Sequence, residues 1–124
     1  MPSPVWRNSI NNAANAVTAG KCLNASETDV EATSTNKSAG IIMRDAAAGE
    51  PIAYATIGTR VESEAVDGTV FAALSIGDEV APGTGGKLAA ATTGDYVVGI
   101  VKAKDANGVY GANTVVIDIV SYKI

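Results

Sequence analysis

The sequence contains no histidine. That absence removes Ser-His-Asp and Cys-His catalysis, and the commonest transition-metal ligand, in one step. Cysteine occurs once, as Cys22, so no disulfide can form within the chain. With no imidazole to activate it, a thiol between Lys21 and Leu23 reads as a small buried hydrophobe. No run of roughly 18 apolar residues occurs, and no charged start followed by an apolar stretch lies near Met1, so neither a membrane span nor a secretion signal is expected. Asn-Ala-Ser at 24–26 and Asn-Lys-Ser at 36–38 then read as chance sequons. Leucine is scarce, at three residues.

What replaces leucine is β-branched: 14 Val, 10 Ile and 11 Thr. Such side chains suit a pleated surface and lose rotamer freedom in a helix, so the composition points to strands. Leu, Ile, Val and Phe together make only 28 of 124 residues, a lean core for one domain, and subunit contacts would supplement it. The formal net charge of −4 is unevenly spread. Residues 1–26 hold two bases and no acid, whereas residues 27–95 hold four bases and eleven acids. An acidic body repels phosphate, so nucleic acid is not an expected partner.

Along the chain, residues 1–19 carry two prolines and four asparagines with no strand alternation, and read as an extended N-terminal arm. Residues 20–124 read as a single β domain, with strands expected at 41–44, 51–57, 59–64, 69–75, 78–81, 87–91, 96–103 and 114–122 and another near 21–24. Asp67-Gly68, Pro82-Gly83 and Asn107-Gly108 supply turn chemistry between them. The chain also resembles itself. Residues 32–42 (ATSTNKSAGII) lie over 91–101 (ATTGDYVVGIV), matching Ala32, Thr33, Gly40 and Ile41 to Ala91, Thr92, Gly99 and Ile100. GEPIAYATI at 49–57 lies over GANTVVIDI at 111–119 after a three-residue insertion. Two related β-units are therefore expected, spanning about 20–64 and 77–122, rather than a solenoid of many short repeats.

Candidate chemistry is sparse. Ala81-Pro-Gly-Thr-Gly-Gly-Lys-Leu88 superficially resembles a phosphate loop, but Ala81 replaces the first glycine and Leu88 the Ser/Thr that would hold magnesium. Glu62 with Glu64, Asp78 with Glu79, and Asp105-Ala-Asn-Gly108 bring carboxylates close without completing a calcium loop. No catalytic, cofactor or metal residue is assigned. Val5, Trp6, Arg7 and Ile10 are the candidate partner-binding residues, because aromatics and Arg dominate interface hot spots and a Pro-stiffened arm loses little entropy on docking. Folding of Trp6 back onto its own domain is the alternative.

Residues 40–64, with Gly-Ile-Ile leading through Asp45-Ala-Ala-Ala-Gly-Glu50 into a second strand, and residues 75–101, with Gly77-Asp78, a Gly/Lys/Leu hairpin and Val98-Gly99-Ile100, resemble the head decoration (cement) proteins of tailed bacteriophages. The resemblance implies a compact β-clip or barrel-like fold, a homotrimer, and a structural role on the capsid exterior, clamping subunits of the major capsid protein after assembly in the host cytoplasm. No catalysis and no cofactor are implied. The leader with Trp6 departs from the family pattern. Trimeric nucleotide hydrolases such as dUTPases share β-clip architecture, but their motifs are not recognisable in this sequence. A carbohydrate-binding or adhesion β-module of a phage surface or tail protein is the alternative, weakened by only six aromatics, none clustered.

Overall fold

The structure, a computed structural model, describes residues 6–124. It is mostly β, with two antiparallel sheets in a compact barrel-like domain. The strands are β1 (Trp6–Asn12), β2 (Cys22–Asn24), β3 (Ser38–Ile42), β4 (Pro51–Ala55), β5 (Arg60–Glu64), β6 (Glu79–Pro82), β7 (Leu88–Ala90), β8 (Tyr96–Asp105) and β9 (Thr114–Lys123). Their orders are β1-β4-β3-β2 and β5-β9-β8-β6-β7.

The segment expected as a strand at 69–75 is instead a helix, α1 (Gly68–Ala73). The Asp67 carboxylate accepts from the Val70 N–H at 2.9 Å, which satisfies one of the free amides at the helix start. No α1 residue is fully buried, so nothing demands a pleat of Val70 and Phe71. At the other end Lys104 donates to the Leu74 carbonyl at 2.9 Å and lies 4.8 Å from the Phe71 ring centre, a cation where the helix needs one. Local capping thus overrides β propensity.

The two sheets follow one plan. In the first, Trp6, Ala55, Ile41 and Cys22 are paired side by side across all four strands. In the second, Arg60, Asp118, Ile100 and Glu79 form the corresponding row. Flanking bonds match too: Gly20 N–H to Ile42 O (2.7 Å) corresponds to Gly77 N–H to Val101 O (2.8 Å), and Ala13 N–H to Glu50 O (2.8 Å) to Ala65 N–H to Asn113 O (2.9 Å). Each sheet is drawn closed in the same way, by Ala14 N–H to Thr28 O at 2.7 Å and by Val66 N–H to Leu88 O at 2.9 Å. The units that these sheets delimit are 6–55 and 60–123. β5 pairs with β9, so 60–64 opens the second unit rather than closing the first.

Burial separates the units. Leu23, Ile42, Ile52 and Tyr54 fill the first sheet's inner face, covered by Ala13, Val17 and Ala46 from its own loops. Its other face, with Cys22, Ile41 and Ala55, packs against Val61, Val80, Leu88, Val101, Val115 and Ile117 of the second sheet. The first sheet is therefore buried on both sides, whereas the outer row of the second (Arg60, Asp118, Ile100, Glu79) is partly exposed. Polar links stitch the units together. Ser63 Oγ donates to Gly20 O at 2.6 Å, Lys21 pairs with Glu64 at 2.6 Å, and Tyr96 N–H donates to Ser34 O at 2.8 Å. The Tyr110 ring lies so close to Gly20 (φ +87°) that a Cβ there would meet it at 2.8 Å, so only glycine fits.

Candidate functional site: the β1 edge

Residues 6–12 of the segment read as an arm form β1, hydrogen-bonded to β4 at the edge of the first sheet. Among residues 13–19, Val17 is buried and bridges to Ala46. β1 is not a regular strand. Asn8 is paired with Ala53 and Asn12 with Pro51, so four steps along β1 match two along β4. The corresponding stretch of β5, from Glu62 opposite Val116 to Glu64 opposite Thr114, is regular. The first unit thus carries a two-residue bulge that the second lacks. Bulges re-aim side chains at sheet edges, and here the excursion leaves Ile10 90% exposed while Ser9 turns inward. The Ser9 hydroxyl donates to Asn11 O, and Asn11 Nδ2 donates to Ser26 O at 3.0 Å, holding the bulge from both sides.

Arg7 is exposed and stands opposite Tyr54. The Tyr54 hydroxyl donates to Glu27 Oε1 at 2.6 Å. Burial first, and then Glu27, pushes the Tyr54 hydroxyl pKa up, with Arg7 opposing the shift. The result is a polar group of Arg7, Tyr54 and Glu27 at one end of β1 and a projecting isoleucine toward the other. Of the four residues singled out in the sequence, Arg7 and Ile10 are brought to this edge. Trp6 is placed by its backbone, opposite Ala55, and Val5 lies outside the described residues. Tyr54 and Glu27 escaped the sequence reading, because sheet register and the 24–30 loop bring them beside Arg7 and no local motif signals it.

The remaining candidates have structural roles. In the 81–88 loop, Gly86 is packed so that a Cβ would come within 2.2 Å of Val30, and Lys87 lies 3.8 Å from Glu64. The Gly83, Gly86 and Lys87 amides donate to carbonyls within this β6–β7 hairpin. Cys22 is fully buried, and burial above all pushes its thiol up to about 12. Among the described residues no group of three or more Cys, Asp or Glu is placed to hold a metal ion, and no helix is long and apolar enough to cross a membrane. Comparison with known proteins returns no matching family model and no matching curated protein.

Proposed function

We propose that this protein is a structural, non-catalytic module that attaches to the outside of a bacteriophage capsid and stabilises contacts between major capsid protein subunits, with the β1 edge making the contact. The observation that carries the reading is the bulge that holds Ile10 90% exposed on an edge strand beside Arg7, a feature of one unit only. The resemblance of residues 40–64 and 75–101 to head decoration proteins supplies the partner class. Cytoplasmic assembly, an exterior position on the virion and a homotrimer belong to the same proposal. Burying one isoleucine contributes about 1.5–3 kcal/mol, weak alone, but three linked copies would raise avidity by about 10²–10⁴.

The test uses tailed-bacteriophage capsids assembled from a major capsid protein alone, without decoration, mixed with the protein and sedimented. Removing residues 1–15 would strip β1 from its own sheet, so point variants are the cleaner probe. Ile10→Asp and Arg7→Glu should keep the β circular dichroism spectrum and lower occupancy at least tenfold. Unchanged occupancy in both would exclude the β1 edge, and a wild-type protein that never co-sediments would exclude the capsid role. Light scattering that gives a strict monomer at high concentration would remove the trimer.

A further inference from the structure

We propose that Asn107 is a self-modification site, at which the Gly108 peptide nitrogen attacks the Asn107 side chain and converts it to aspartate or isoaspartate. Asn107-Gly108 is the chain's one Asn-Gly pair. It sits in the β8–β9 connection, where Asp105 organises a tight turn: its carboxylate accepts from the Asn107 N–H at 2.9 Å and its carbonyl from the Gly108 N–H at 3.2 Å. Asn107 is exposed, and among the described residues no hydrogen bond holds its side-chain amide. Four other asparagines differ in this respect, and Asn8, Asn12 and Asn113 are each followed by a residue that carries a side chain. The amides of Asn11, Asn15, Asn24 and Asn36 donate to Ser26, Asp29, Thr28 and Glu31, which restrains their carbonyl carbons.

Packing fixes the second half of the pair. A Cβ at position 108 would meet Thr114 at 2.4 Å, so the fold requires glycine there. The nucleophilic nitrogen is therefore always flanked by a residue without a side chain to obstruct its approach. The bond that it makes with Asp105 is at the long end of the range and is given up easily.

In the step itself, a bond forms between Gly108 N and Asn107 Cγ, and the Cγ–Nδ2 bond breaks. Base removes the Gly108 amide proton and the leaving nitrogen departs as ammonia. Water then opens the five-membered imide at either carbonyl. Opening at the backbone carbonyl leaves isoaspartate, with the former side-chain carbon now in the main chain. That added length falls three residues before Tyr110, whose ring seals Gly20 at the junction of the two units. Ageing at Asn107 would thus loosen a contact between the units.

The experiment holds the full-length protein at mildly alkaline pH and follows each asparagine by peptide mass mapping, with isoaspartyl methyltransferase labelling of the product. Conversion at Asn107 should outpace every other asparagine at least tenfold, accelerate with pH and release ammonia. Asn107→Gln, which would have to close a larger ring, should abolish labelling of this peptide. The proposal fails if another asparagine converts first. It also fails if Asn107 in the folded protein stays intact while a free peptide of residues 104–110 is fully converted, because the turn would then protect it.

Discussion

Ile41 and Ile100 occupy the same place in the two units, each paired with one neighbour from the unit's short second strand, β2 or β6, and one from its last strand, β4 or β9. Their surroundings differ. Ile41 is fully buried between the sheets, whereas Ile100 lies on the outer face and is only partly covered. Ile41→Ala removes three carbons, about 2.4 kcal/mol in transfer terms and about 2–5 kcal/mol once the cavity left behind is counted. Ile100→Ala, with solvent on one side, should cost roughly 1 kcal/mol by the same reasoning. For a chain of this size each kcal/mol moves the melting temperature by roughly 3–5 °C, so Ile41→Ala should lower it by roughly 6–25 °C and Ile100→Ala by roughly 3–5 °C. Thermal and urea unfolding followed by circular dichroism at fixed protein concentration measure both. If the two substitutions cost the same, the outer face of the second sheet is covered in solution and the layer order argued from burial is wrong.

Two further predictions concern titration. The Cys22 thiol, held near 12 by burial against an ordinary value of about 8.5, should resist alkylation in the native state at pH 8 and react fully in denaturant. Because the unfolded chain loses this proton first, stability should fall as pH rises above about 8.5, and Cys22→Ala should blunt that fall. At the acid end, Arg60 bonded to Asp118 and the Thr92 N–H with Ser34 Oγ bonded to Asp95 hold both carboxyls below their ordinary range. Their contribution is present above the usual carboxylate pKa of about 3.9 and is lost as pH falls through the lower folded values. Asp118→Asn and Asp95→Asn should therefore flatten the acid limb of the stability curve, and an unchanged limb would refute both assignments.

The strands that could be read in the sequence are those whose β-branched runs are buried on at least one face, β8 and β9 above all. β1 could not be read, because Arg-Asn-Ser-Ile-Asn-Asn has neither alternation nor β propensity. It is a strand because β4 offers it backbone partners, and its bulge breaks any period that two faces would impose. α1 shows the opposite failure. Val70 and Phe71 look like strand, but Asp67 caps a helix and no core position calls for a pleat. At the site, Arg7 and Ile10 stood out as residues without a core pattern, while Tyr54 and Glu27 became neighbours only through register.

The internal likeness shows how fine that register is. Laying GEPIAYATI over GANTVVIDI sets Tyr54 on Val116 and Ala55 on Ile117, but the sheets set Tyr54 on Ile117 and Ala55 on Asp118. One residue in a strand exchanges its faces. In the structural register Ala55 and Cys22, fully buried between the units, correspond to Asp118 and Glu79, which meet solvent beside Arg60 and Tyr122. The same sheet plan is therefore written twice with different outer faces, an apolar one where the first unit supports the second and a charged one where the chain meets water. A charged face costs little while it stays hydrated, and Asp118 with its partners Arg60 and Lys102 remains a third or more exposed. Among the described residues Ile10, on the bulged β1 edge, is the most exposed large apolar side chain, ahead of Ile76 and Val109.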